Sequence, residues 1–146
     1  MPVSWEKYPE LTDYSGNGIY SCTVSLDKVP DEVTLSLSGL SCACSVSVNG
    51  SFAGEIWTHP YLLKIGSFLR PGENTLEIRV TSTLINEMRA RDPDSWTHHE
   101  TVLDNWPYNG KIIDNQLKVR MNTHREHDEQ TEPIPSGLWG SVSLIY

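Results

Sequence analysis

Apolar and polar residues alternate with a period of two along most of this chain. Tyr20, Cys22, Val24 and Leu26 alternate with Ser21, Thr23 and Ser25. Val33, Leu35 and Leu37 alternate with Thr34 and Ser36, and Cys44, Val46 and Val48 with Ser45 and Ser47. The pattern returns in Leu76, Ile78 and Val80, in Leu117, Val119 and Met121, and in Val142 and Leu144. Successive side chains of an extended strand point to opposite faces, so each run describes a strand with one apolar and one wet face. Such strands must share an interior, and two packed antiparallel sheets supply one. No run shows a sustained period of 3.6. The expected fold is therefore all-β: a single antiparallel β-sandwich over residues 1–146.

Turn chemistry agrees with the strand pattern. Asn49-Gly50 separates the run ending at Val48 from a strand-like stretch, Ser51 to Trp57. Both residue types tolerate the positive φ of a tight hairpin. Pro71-Gly72 reads as a turn before a strand from Asn74 to Thr81, and Pro30-Asp31 separates the first two strands. Neither an internal repeat nor a domain linker is evident. Regularity fails from Asn86 to Gly110, which is too long for an ordinary connection, and in the polar stretch from His124 to Pro135.

A chain of 146 residues with 38% hydrophobic and 21% charged residues can bury a core without disulfide staples. The formal net charge of −8, with no cluster of Lys or Arg, argues against nucleic acid and against an anionic membrane surface. No stretch approaches the roughly 18 apolar residues of a spanning helix. Met1 to Glu10 lacks a basic region followed by an apolar run, so no signal peptide is expected there. A secreted, periplasmic or cytoplasmic parent remains open. The three cysteines, Cys22, Cys42 and Cys44, are too few for a disulfide framework. All three are expected to be small buried apolar residues, Cys42 and Cys44 on the same side of one strand.

Four pieces of sequence carry a family resemblance. Val48-Asn49-Gly50 is followed by Gly54, Trp57 and Pro60, and Leu69-Arg70-Pro71-Gly72-Glu73-Asn74-Thr75-Leu76 leads into Ile78 and Val80. Pro135-Ser136-Gly137-Leu138-Trp139-Gly140 precedes the last strand, and Tyr14-Ser15-Gly16 precedes the first. In that order they resemble galactose-binding domain-like jelly rolls: the sugar-binding domain of family-2 glycoside hydrolases and the similar domain of large α-L-rhamnosidases. The resemblance spans about Tyr14 to Leu144. It implies a non-catalytic domain beside a catalytic glycosidase barrel, and thus two readings. One is a carbohydrate-binding or accessory domain; the alternative is a structural domain docked on the barrel without sugar binding of its own.

Sugar recognition needs aromatic faces to stack on pyranose C–H groups and planar polar groups to bond the hydroxyls. The irregular stretch from Asn86 to Gly110 offers both. Trp96, Trp106 and Tyr108 are the candidate platforms, with Arg89, His98, His99 and Asn105 as polar ligand contacts. Trp57 and Trp139 are expected to pack against the core or a sheet edge. His124 and His127 form an H-x-x-H pair beside Asp128 and Glu129, but the spacing is not that of a metalloprotease, and a solvated loop is expected. No cofactor is expected. A structural calcium stays open, because backbone ligands leave no trace in sequence. Carboxylates such as Glu55, Glu87, Asp92, Asp94, Glu100, Asp104 and Asp114 form no convincing catalytic pair. A hydrolase or lyase built on His98 or His99 with a carboxylate is the remaining, weakest reading.

Overall fold

A computed structural model of the chain describes residues 1–91, 111–113, 116–118 and 133–146. Among them run β1 (Asn17–Leu26), β2 (Thr34–Leu40), β3 (Ala43–Val48), β4 (Ser51–Ile56), β5 (Leu62–Lys64), β6 (Gly72–Thr81), a short helix α1 (Ile85–Arg91), β7 (Lys111–Ile113), β8 (Gln116–Lys118) and β9 (Leu138–Ile145). The chain divides into two compact units, Met1–Glu87 with Pro133–Tyr146, and Met88–Glu132. The first holds a four-stranded sheet in the order β1-β6-β3-β4 and a three-stranded sheet in the order β5-β2-β9. In the second, β7 and β8 pair as an antiparallel two-stranded ribbon.

All the pairings among the described residues are antiparallel, and the inward residues of the first unit's two sheets meet in one core. Leu35 and Leu37 come from β2, Val46 and Val48 from β3, Ile56 from β4, Leu76, Ile78 and Val80 from β6, and Leu138 from β9. This is the β-sandwich that the alternation requires, and Leu35, Val46 and Ile78 are buried as expected. Val119 lies outside the described residues.

Local chemistry explains the corners. Val48 faces Ser51 across a two-residue turn in which Asn49 has φ 53° and Gly50 φ 79°. Two successive left-handed residues match the right-handed twist of the strands they join. Asn49 has a second role. Its amide donates to Phe68 O at 3.1 Å and to Asn74 Oδ1 at 2.9 Å, while its Oδ1 accepts from Thr75 N at 3.1 Å. Asn74, 1% exposed, accepts from Arg70 N at 2.9 Å and donates to Arg70 O at 2.7 Å and Gly72 O at 3.0 Å. One buried amide thus closes the Arg70–Glu73 turn on itself and holds the neighbouring hairpin against it.

Three expectations are corrected. Cys22 is exposed: β1 is an edge strand, and its inward row of Tyr20, Val24 and Leu26 is only half covered. Cys42 is also exposed, because β3 starts one residue later and Cys42 occupies a left-handed turn position at φ 65°. Only Cys44 is buried, and desolvation lifts its thiol pKa to about 11. Trp57 does not pack inward: its neighbour Ile56 takes the buried place, and Trp57 is left 71% exposed. Trp139 does pack, half-buried over Gly39, where an added Cβ would come within 2.2 Å of its Nε1.

Candidate functional site

Within the first unit, the two stretches of chain on either side of residues 88–132 meet in a stem. The stem opens at Asn86, a buried residue in the first turn of α1. Its Nδ2 donates to Ile134 O at 2.9 Å, and its Oδ1 accepts from Ile134 N at 3.0 Å. A side-chain amide thus copies the paired bonds of a strand ladder and joins the outgoing and returning chain. Glu87 N also donates to Ser15 Oγ at 3.3 Å, and Ser82 N donates to Gly16 O at 2.9 Å.

Two residues past Ile134, the returning chain is clamped by the N-terminal segment. Trp5 N donates to Ser136 O at 2.9 Å. Ser136 N donates to Ser4 Oγ at 2.9 Å and to Glu6 Oε2 at 3.3 Å. Ser4 Oγ also reaches the Ser136 carbonyl and the Glu6 carboxylate. Lys7 Nζ stands 4.0 Å from the other oxygen of Glu6. Trp5 is buried between Gly18 and Gly137, where a Cβ on either would come within 2.4 Å of the ring. Its indole donates to Tyr20 Oη at 2.6 Å, and that oxygen also accepts from Leu138 N at 3.1 Å. Within the first unit, the residues that flank 88–132 are therefore tied to one another and to the core.

The candidate ligand residues Trp96, His98, His99, Asn105, Trp106 and Tyr108 lie outside the described residues, as do His124 and His127. Arg89 falls within α1 rather than in irregular chain. Seven residues are too few to show a helical period, although Glu, Met, Arg and Ala are all good helix formers. Among the described residues, no group of three or more His, Cys, Asp or Glu is placed to hold a metal ion. No described helix is long and apolar enough to cross a membrane.

Sequence reasoning missed a set of side chains on the outer face of the four-stranded sheet. Across the strands, Ile19 stands level with Arg79, Ser45 and Glu55, and Ser21 with Glu77, Ser47 and Phe52. The flanking Val46, Val48, Ile78 and Val80 all point inward, so these two rows point outward. Phe52 is 61% exposed, and Trp57 directly follows the same edge strand, β4. Arg79 Nη2 and Glu77 Oε1 are 4.0 Å apart on the central strand β6. Beyond Trp57 the chain passes His59 and Tyr61, whose rings meet edge to face at 5.3 Å, and Tyr61 O accepts from Leu37 N at 3.0 Å. This juxtaposition was hidden because most of these partners lie on strands far apart in the chain, and strand pairing is not written in local sequence.

Comparison with known proteins agrees with this architecture. Residues 14–140 match the family described as the glycosyl hydrolase 2 galactose-binding domain-like family. A putative beta-glucuronidase of Formosa agariphila is 23% identical over 141 residues, covering 90% of this chain and 12% of that protein. A solved rhamnosidase from Novosphingobium sp. PP1Y superposes with a TM-score of 0.62 at 30% identity, covering 93% of this chain and 11% of that one. The chain thus spans little more than a tenth of the length of these relatives.

Proposed function

Because the chain belongs to the glycosyl hydrolase 2 galactose-binding domain-like family, we propose that residues 1–146 act as one non-catalytic accessory domain of a glycoside hydrolase and contact carbohydrate. The observation that carries this reading is one of proportion. Nearly the whole chain aligns, yet it accounts for only 12% of a putative beta-glucuronidase and 11% of a rhamnosidase. A catalytic glycosidase portion is accordingly its proposed partner.

Within this reading, Trp96, Trp106 and Tyr108 stack on sugar rings, and Arg89, His98, His99 and Asn105 bond the hydroxyls. The pinned stem at Asn86, Ile134 and Ser136 supports the assignment, since a binding segment held at both roots loses less conformational freedom on binding. Isothermal titration against a panel of neutral and acidic oligosaccharides tests it. Trp96→Ala and Trp106→Ala are each expected to weaken binding roughly tenfold or more, the scale of one stacking contact. Full affinity in both variants would reject the assignment of these residues.

A further inference from the structure

We propose a second carbohydrate-contact surface, separate from residues 86–110, on the outer face of the four-stranded sheet. Its occupant is a neutral oligosaccharide lying along the β4 edge. Phe52 and Trp57 are the two most exposed aromatic rings along that edge, at 61% and 71%. Phe52 is the second residue of β4 and Trp57 directly follows its last, and five steps at about 3.3 Å per residue span at most about 16 Å, shortened by the register shift at Ala53. That distance exceeds what a single sugar ring needs, so the pair suits an oligosaccharide rather than a monosaccharide.

The polar chemistry between the rings is of the matching kind. Glu55 lies between Phe52 and Trp57 on the same edge, Ser45 and Ser47 stand beside them on β3, and Arg79 with Glu77 follow on β6. Hydroxyls, a planar guanidinium and carboxylates can donate to and accept from vicinal sugar hydroxyls. These groups sit on paired strands rather than on loops, so little order has to be imposed on binding. Charge selects among glycans. Glu55 and Glu77 outnumber Arg79 on this face, and the chain carries a formal net charge of −8. An anionic glycan would be repelled, which leaves a neutral one. Exposed aromatic side chains also serve protein docking, but that use calls for an apolar centre, whereas here serines and charged groups fill the space between the rings.

The test uses the full chain with three sets of variants: Trp57→Ala and Phe52→Ala, Arg79→Ala, and Trp96→Ala with Trp106→Ala. Probes are neutral gluco-, manno- and galacto-configured hexasaccharides and their uronate-containing counterparts, read by isothermal titration and affinity electrophoresis. All the substituted outer-face side chains are exposed, so Tm should stay unchanged, and Trp57→Phe should retain part of the affinity. The expected result is a loss of roughly tenfold or more for Trp57→Ala and for Phe52→Ala, with uronates bound more weakly than neutral chains. Undiminished affinity in both variants would overturn this surface, even if Trp96→Ala and Trp106→Ala abolished binding and so upheld the 86–110 assignment. Preference for uronates would overturn the neutral occupant. Absence of binding to every probe would overturn both sites, and loss of association with a catalytic glycosidase portion in Trp57→Ala would then assign the face to protein docking.

Discussion

Asn74→Ala should be among the most damaging single substitutions in the chain, although it removes no apolar surface. The side chain makes four hydrogen bonds: it accepts from Arg70 N and Asn49 Nδ2 and donates to Arg70 O and Gly72 O. At 1% exposure, water cannot readily replace it. A net contribution of about 0.5–1.5 kcal/mol per bond, with buried partners left unpaired, puts the loss at about 3–5 kcal/mol. For a domain of this size, at about 2–4 °C per kcal/mol, that lowers Tm by about 6–20 °C. Denaturant melts and calorimetry measure it. The amide's donors matter as well as its acceptor, so Asn74→Asp should be nearly as damaging at pH 7, where a carboxylate would face the Arg70 and Gly72 carbonyls. Burial and those carbonyls raise the folded-state pKa of the new carboxyl above its unfolded value. The unfolded state then gives up its proton first as pH rises, so the penalty relative to wild type grows from about pH 4 upward and shrinks on acidification. A cost below about 1 kcal/mol for Asn74→Ala, or a pH-independent penalty for Asn74→Asp, would refute the assignment of this network.

Other expectations follow from single sites. Under native conditions near pH 8, a thiol reagent should modify Cys22 and Cys42 rapidly and Cys44 only after unfolding; three equivalent reactive thiols would contradict the burial seen here. Because burial raises the Cys44 pKa to about 11, its favourable contribution is intact below about pH 9 and falls away as pH climbs toward 11, an alkaline loss that Cys44→Ala should lack in denaturant melts. Asn86→Ala removes both bonds to Ile134 and should cost about 1–3 kcal/mol, with amide exchange at Ile134 accelerated well beyond that of core strands. Gly39→Val drives a side chain into the Trp139 indole and should cost about 1–3 kcal/mol by displacing that ring, whereas Gly50→Ala meets open space and should cost only the left-handed backbone penalty of about 1–2 kcal/mol.

Much of the sandwich is legible in sequence because strand faces and tight turns are local properties. The alternation in Val33 to Leu37, Cys44 to Val48 and Leu76 to Val80 names the residues that reach the core, since a period of two sends every second side chain to one side. Asn49-Gly50 and Pro71-Gly72 mark corners because their backbone preferences are their own. Tertiary structure decided the rest. Pairing of β1 with β6 and of β2 with β9 joins segments far apart in the chain, and local pattern does not specify partners. Alternation tells which way Cys22 points but not that β1 lies at an edge where that face is poorly covered. Hydrophobicity alone cannot distinguish the three tryptophans among the described residues, Trp5, Trp57 and Trp139. Trp5 is buried because distant glycines at 18 and 137 make room for it, Trp139 rests on Gly39 of the neighbouring strand, and Trp57 stays in solvent because Ile56 holds the inward place. Burial of a large ring depends on what another part of the chain brings to meet it, and only the folded arrangement of both sheets supplies that partner.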